Sequence, residues 1–187
     1  MTQFSIVTPL IAAAVLCGAS VSAFAVDYLT VAQAQAQLFP AAQWREQSVS
    51  LTPEQLKAVS KLGDVSARSA SWKLLQATDT AGKYLGTLVV DQVIGKYELI
   101  TYAVGVDAQG RVLGIEILSY RESHGAEIRL PAWRKQFVGK TSAAALKAGE
   151  DIAIISGATL SCSHVTDGVR RIVALVAVMR EAGVAPV

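Results

Sequence analysis

The apolar positions between residues 71 and 120 follow the short alternation that is typical of strands. Segments 71–77, 83–93, 96–106 and 111–120 are rich in β-branched and aromatic residues and predict four strands. Between the last two, Asp107 begins and Gly110 ends a stretch with the composition of a β-turn. We therefore expect a hairpin that pairs residues 97–106 with residues 112–118.

A helical pattern follows near the end of the chain, at residues 163–181. Its apolar residues recur at the three-four spacing of one buried face, and they are Val165, Val169, Ile172, Val173, Val176 and Met179. Ser161 or Ser163 is the expected cap of this helix. An antiparallel sheet with helices packed against it, an α+β fold, accounts for both patterns.

Helix signals dominate residues 26–70, which we predict to be a helical portion preceding a core of residues 71–187. A short helix is expected at 30–38, ended by Pro40. Thr52, Pro53 and Gln55 predict a capped helix start, and Gly63 the end of that helix. Two further short helices are expected at 131–137, with Trp133 and Phe137 on one face, and at 141–147.

The first 25 residues form a separate apolar segment. Residues 4–25 carry no charge, and Ala23 and Ala25 fit a signal-peptidase site that would leave Val26 as the first mature residue. No Lys or Arg precedes the run, and its length also suits a membrane anchor, so an uncleaved anchor is the alternative. Both interpretations place residues 26–187, as one domain, outside the cytoplasm, in the periplasm.

Composition excludes several classes of function. The chain has 187 residues, of which 52% are hydrophobic and 17% charged, and a net charge of +2. It has no basic run of the kind that nucleic-acid binding requires. Its two His residues, and the single Cys that follows the leader, lack zinc-ligand spacing, so we expect no metal site.

The run Ser156–Ser161 is the strongest candidate for chemistry. It lies between a short apolar segment and the last helix, so a glycine turn, a hydroxyl side chain and a helix start coincide. Free N–H groups and the positive end of the helix dipole make such a start a phosphate site. Thr159 places a hydroxyl there that can carry a phosphate covalently, although capping a turn is the commoner role of a loop threonine.

This run resembles the flavinylation motif of the FMN-binding domain family, which includes the covalent-FMN subunits of the Na⁺-translocating NADH:quinone reductase and of the Rnf complex. The resemblance covers about residues 84–179. It implies that a flavin transferase esterifies Thr159 with the phosphate of FMN. The residues that it places around the phosphate are Ser156, Gly157, Ala158, Leu160 and Ser161. The family usually has Asp three residues before the Ser, where this chain has Ala153, so non-covalent FMN binding stays open.

A second stretch, Glu122-Ser123-His124-Gly125, resembles the family loop that contacts the isoalloxazine ring. Ser replaces the usual Thr, and His124 replaces the usual Pro. Histidine exchanges protons near neutral pH, so His124 is either a proton donor to the flavin or an ordinary loop residue. We also expect Trp133 near the flavin, with a role in the core as the alternative.

Two residues beside the motif have weaker interpretations. Cys162 is either a packing residue or a redox thiol whose pKa the helix start would lower. His164 either approaches the phosphate or lies on the helix surface.

The resemblance implies an extracytoplasmic FMN-binding electron-transfer protein, a carrier more than a turnover enzyme. Its partners would be a redox protein, such as a membrane cytochrome or flavoprotein, and the flavin transferase. Two alternatives remain from the residues. One is a non-redox periplasmic binding or accessory module in which the motif only caps a helix. The other is a reductase that uses the flavin on a small substrate.

Overall fold

The computed structural model describes residues 26–183, so the predicted leader at 1–25 lies outside the described residues. A six-stranded antiparallel sheet has the order β1-β6-β5-β4-β3-β2. The strands are β1 (Val26–Asp27), β2 (Gln43–Ser50), β3 (Ser71–Thr78), β4 (Tyr84–Ile94), β5 (Leu99–Asp107) and β6 (Val112–Tyr120). The helices are α1 (Val31–Leu38), α2 (Pro53–Gly63), α3 (Pro131–Arg134) and α4 (Thr159–Glu181). The predicted α+β fold is confirmed.

Helices cover both faces of the sheet. On one face α2 and α4 pack over the main core, where Val104, Ile115 and Ile172 are almost completely buried. On the other face α1 and Phe39 cover Leu88, Ala103 and Leu118. None of the helices within residues 26–183 combines the length and the apolar character needed to cross a membrane.

A glycine in α4 lets the helix lie close to the sheet. A Cβ at Gly168 would overlap the hydroxyl of Tyr102, which lies directly beneath the helix. That hydroxyl donates a 2.9 Å hydrogen bond to Asp91, and Arg171 of α4 approaches the same carboxylate at 3.4 Å. Burial, and then the charge of Asp91, raises the pKa of Tyr102 well above its usual value, so the phenol stays protonated. The start of α4 therefore belongs to a helix that packs closely against the sheet.

The predicted hairpin is confirmed, since β5 and β6 pair from Ile100 opposite Tyr120 to Val106 opposite Val112. Strand β2 is the main difference from the sequence-based expectation, because it lies inside the portion predicted to be helical. It pairs with β3 at the sheet edge, and Val49 is its one buried residue. An edge strand with polar residues on both faces lacks the alternation that marks a strand.

Helix boundaries differ from the expectation in several places. Helix α4 begins at Thr159, so Ser161 and Ser163 lie within its first turns and cap nothing. Helix α2 includes Gly63 and ends at Asp64 in a left-handed conformation. The expected helix at 131–137 is α3 continued by a 3-10 turn at Lys135–Phe137, and a further 3-10 turn spans Ala126–Arg129.

The helix expected at 141–147 is wrong. This segment forms turns, with the N–H of Ala144 bonded to the carbonyl of Thr141. Its backbone is instead organised by Asp151, which accepts hydrogen bonds from the N–H groups of Leu146 and Lys147. A side-chain acceptor four or five residues further along the chain competes with helical hydrogen bonds for these N–H groups.

Candidate functional site

One cavity brings the two predicted motifs together. It has a volume of about 400 Å³, within the usual range for small-molecule sites. Its walls are the turn between β4 and β5, the loop after β6 and the start of α4. The lining residues are Lys96, Tyr97, Glu122, Ser123, His124, Gly157, Ala158, Thr159, Leu160 and Ser161.

Thr159 is the first residue of α4, and its side chain is exposed in the cavity. The preceding residue, Ala158, occupies the cap position and makes no side-chain hydrogen bond to the helix. The first-turn N–H groups therefore lack a side-chain acceptor, and they lie at the positive end of a helix of 23 residues. An anion bound at this place would gain both the hydrogen bonds and the dipole.

The chain turns at Gly157, two residues before α4 begins. Gly157 has φ 79°, in the left-handed region that favours glycine, and it lines the cavity. Ser156 is exposed but does not line the cavity. Of the predicted phosphate-surrounding residues, Gly157, Ala158, Leu160 and Ser161 thus share the cavity with Thr159.

Tyr120 joins the loop after β6 to the start of α4. Its buried hydroxyl donates to the carbonyl of His124 and makes a 3.1 Å hydrogen bond with the hydroxyl of Ser161. Burial raises the pKa of Tyr120, although the Ser161 contact lowers it somewhat, so the phenol stays protonated. Tyr120 therefore joins the two predicted motifs through hydrogen bonds.

Gly125 lies in close contact with the start of α4. Its φ is 86°, and a Cβ at this position would overlap the Cβ of Ala158. Gly125 itself is buried and lies behind the cavity surface, so it acts by close packing. The loop of residues 122–125 can lie against α4 because both contacting residues are small.

Glu122 holds the turn between β4 and β5 above the cavity. Its Oε1 accepts hydrogen bonds from the N–H groups of Tyr97 at 2.6 Å and Glu98 at 3.0 Å. Burial would raise the pKa of Glu122, but the backbone donors and the charge of Lys96 outweigh burial and lower it. The carboxylate is therefore ionised, and its oxygen is engaged with backbone.

Lys96 and Tyr97 complete the cavity and were missed in the sequence, where they appear as the first residues of a predicted strand. In the structure they belong to the turn, and the Lys96 ammonium lies 4.9 Å from the centre of the Tyr97 ring. Tyr97 is 75% exposed. The preceding Gly95 was the available signal, since a glycine between two strand patterns marks a possible turn.

His124 lines the cavity with an exposed ring. Its Nδ1 lies 2.9 Å from the hydroxyl of Ser123. That contact leaves the other ring nitrogen available for a hydrogen bond with a bound molecule.

Trp133 lies in the core and not among the cavity-lining residues. It is 4% exposed and packs edge-on against Phe137, with ring centres 5.1 Å apart. Its indole N–H donates a 2.8 Å hydrogen bond to the carbonyl of Ala153. Trp133 thus supports the segment that leads into the motif.

Asp151, the nearest acid to the motif, is committed to a structural role. Its carboxylate forms a 2.8 Å ion pair with Lys140 and also accepts hydrogen bonds from the N–H groups of Leu146 and Lys147. Burial would raise the pKa of Asp151, but Lys140 and those donors lower it. The side chain is therefore not free to replace the acid absent at Ala153.

Cys162 and His164 point away from the cavity chemistry. Cys162 is fully buried, and its sulfur accepts the N–H of Ile155 at 3.4 Å. Burial raises the pKa of the thiol, which is opposite to the shift a redox thiol needs. The ring of His164 lies 2.6 Å from the carbonyl of Ile94 and outside the cavity lining.

A match to a protein-family model agrees with the motif. Residues 95–174 match the model of the FMN-binding domain, which confirms the resemblance and indicates FMN as the cofactor of this region. None of the curated proteins matches the chain. Among solved structures, the crystal structure of Shewanella oneidensis NqrC is similar, with 14% identity over 74% of this chain and 84% of that one, and a TM-score of 0.46. Within residues 26–183, no cluster of His, Cys, Asp or Glu is arranged to hold a metal ion.

Proposed function

We propose that this protein is an extracytoplasmic electron carrier whose FMN is attached to Thr159 through a phosphoester bond. The observation that carries the proposal is the exposed hydroxyl of Thr159 at an uncapped helix start, facing the loop of residues 122–125 across one cavity. A phosphate on that hydroxyl would lie beside unpaired N–H groups.

The other residues of the cavity suit the rest of the cofactor. Tyr97 offers an aromatic face to a planar ring, and Lys96 offers a positive charge beside it. His124 offers a ring nitrogen to the cofactor from the loop after β6. FMN itself supplies one- or two-electron transfer, and these side chains bind it, orient it and limit its contact with water.

Attachment would break a phosphoanhydride bond of the donor and form a phosphate ester bond to Thr159. The Oγ of Thr159 loses its proton and bonds to the phosphorus of a flavin nucleotide that is activated as a phosphoanhydride. The group on the far side of that anhydride leaves with the bonding electron pair. A flavin transferase catalyses this exchange, and the exposure of Thr159 leaves the hydroxyl open to it. The bond prevents loss of FMN outside the cytoplasm.

Ala153 stands where the family usually has an acid, so the covalent bond is the part of the proposal that experiment tests most directly. Asp151 does not compensate for it, since its oxygens are engaged. Ala153 is exposed, with its carbonyl held by Trp133 and its N–H by Gln136. We propose that this fixed backbone presents the motif to the transferase without the acid.

A carrier needs a partner on each side of the electron transfer. Both Tyr97 and Thr159 are exposed at the cavity mouth, so a protein can approach the cofactor there. We propose a membrane cytochrome or another flavoprotein as that partner. The alternative, a non-redox binding module, is favoured by the alanine at position 153.

Mass spectrometry of the exported protein tests the proposal. The protein is produced in a host with an active flavin transferase, and its intact mass and the peptide containing Thr159 are measured. We expect an added FMN, less one water, on Thr159. Thr159→Ala should carry none, whereas Thr159→Ser retains the hydroxyl and should be partly modified.

Two results would contradict the proposal to different degrees. A yellow protein that loses its colour on denaturation would retain FMN and overturn the covalent bond. A colourless protein of unmodified mass would overturn the carrier function and favour the binding module.

A further inference from the structure

The tip of the β4–β5 hairpin carries large apolar side chains in contact with solvent. Ile94 is 57% exposed, Tyr97 75% and Leu99 47%. Ile94 and Leu99 are opposite each other in the strand register, and Tyr97 lies in the turn between them. We call these three residues the tip surface. It adjoins the candidate cofactor cavity, which Tyr97 also lines.

The first described strand, β1, begins at the same end of the sheet. Tyr120 of β6 lies between β1 and β5. It is opposite Val26 on the β1 side and opposite Ile100, which follows Leu99 of the tip surface, on the β5 side. Strands β1 and β5 are therefore two strand spacings apart, about 10 Å. Val26 therefore lies at the end of the sheet where the cavity opens.

The sequence before Val26 is apolar. Residues 4–25 carry no charge, and Val26 follows them directly in the sequence. Because one extended residue spans at most about 3.5 Å, a membrane-embedded segment ending near Ala25 would hold this end of the sheet at the bilayer surface. The tip surface would then face the same bilayer.

The charges beside the tip surface favour a lipid surface with anionic headgroups. Lys96, Arg121 and Arg68 are exposed near it, with the Arg68 guanidinium bonded to the carbonyl of Gln92 at 2.9 Å. Glu98 is the exposed acid of the turn, and Glu122 is engaged with backbone N–H groups. Basic residues and tyrosine beside aliphatic side chains suit a membrane interface.

We propose that the tip surface binds a lipid bilayer, so that the cavity opens toward the membrane surface. Its meaning for electron transfer rests on the proposed function, because it places the FMN where a membrane-embedded redox partner can reach it. The lipid contact itself requires only the side chains of the tip.

A fluorescent probe at the tip tests the lipid contact. The full chain with Ile94→Cys, labelled with an environment-sensitive dye, is mixed with phosphatidylethanolamine–phosphatidylglycerol vesicles that contain a nitroxide lipid quencher. The control is Val138→Cys, which is 54% exposed and lies near the opposite end of the sheet, where Gly139 bonds Val112. Peptide mass confirms the labelled position, and Leu99→Cys repeats the test on the facing strand.

We expect a blue-shifted emission and at least several-fold stronger quenching at positions 94 and 99 than at position 138. Equal quenching at the tip and the control, or none at the tip, would overturn the proposal and favour a protein surface as the occupant. Flavin content is measured in the same samples by visible absorbance. Quenching without flavin would contradict the proposed function alone, whereas flavin without quenching would overturn the lipid contact alone.

Discussion

The three long helices begin in two different ways. Helices α1 and α2 each have a complete capping box, in which Thr30 pairs with Gln33 and Thr52 with Gln55. Helix α4 is longer than both, yet its cap residue, Ala158, makes no side-chain hydrogen bond to the helix. A capping box satisfies first-turn N–H groups within the protein, whereas α4 leaves this possibility to a ligand.

This difference separates the body of α4, which tertiary packing stabilises, from its start, which remains available to a ligand. The body of α4 is firmly buried, with Val165, Val169 and Ile172 inaccessible to solvent. The helix therefore does not need a cap to remain folded, because tertiary packing supplies most of its stability. An uncapped start on a firmly held helix can offer its N–H groups to a phosphate.

Gly125→Ala is expected to have the largest effect, because it disturbs the packing beside the uncapped start. The new Cβ would overlap Ala158 in a backbone with φ 86°. Strain and overpacking together should lower the free energy of unfolding by about 3 kcal/mol. Denaturant unfolding measures this loss, and mass spectrometry should show reduced FMN loading.

Gly139→Ala is the matched control for this substitution. Gly139 has φ 80°, but nothing lies within 4 Å of its added Cβ. Its cost should be about 1 kcal/mol, from backbone strain alone, with normal FMN loading. Equal losses in the two variants would show that the contact between Gly125 and Ala158 contributes nothing.

Thr52→Ala should separate the two kinds of helix start. Removing the α2 cap should lower the free energy of unfolding by about 1 kcal/mol and leave FMN attachment unchanged. Thr159→Ala should do the opposite, since Thr159 is in the first turn of α4 and caps nothing. Unfolding curves of both apo-proteins and intact masses of both exported proteins measure this. A stability loss for Thr159→Ala equal to that for Thr52→Ala would contradict the distinction.

Features set by local chemistry could be predicted from the sequence. The capping box of α2 and the β5–β6 hairpin depend on neighbouring residues, and both are confirmed. Strand β2 could not be predicted, because its partner β3 begins some 20 residues later and its own residues are mostly exposed. Local pattern contains no information on such pairing.

The candidate site divides along the same line. The start of α4 was predicted as a site from its motif, but its position at Thr159 required the tertiary packing of Ala158. Lys96 and Tyr97 reach the cavity because Glu122, some 25 residues later in the chain, binds the backbone of their turn. No sequence spacing indicates that contact.

Tyr120→Phe should have a smaller effect and should act on the wall that faces α4. It removes the hydroxyl that joins the carbonyl of His124 to Ser161. The expected cost is about 1 kcal/mol or less, with faster hydrogen exchange in residues 122–125. Tyr84→Phe is the control, since it removes a buried hydroxyl bonded to Thr87 far from this loop. Similar exchange rates in the loop for both variants would contradict a joining role for Tyr120.

The smallest expected effect is a pH dependence of the turn above the cavity, which Glu122 holds in place. The pKa of Glu122 is lowered in the folded protein from the usual 4.5, so the unfolded chain binds its proton more readily. The carboxylate therefore contributes stability fully above about pH 4.5, and this contribution is lost as the pH falls through the lower folded pKa.

Glu122→Gln keeps an acceptor for the N–H groups of Tyr97 and Glu98 but cannot titrate, so it should flatten this loss. Glu150→Gln, at an exposed turn position, is the control for the change in charge. Hydrogen exchange of residues 95–98 between pH 3 and pH 6, corrected for intrinsic rates, measures the effect. A pH dependence that is unchanged by Glu122→Gln would show that this carboxylate does not hold the turn in place.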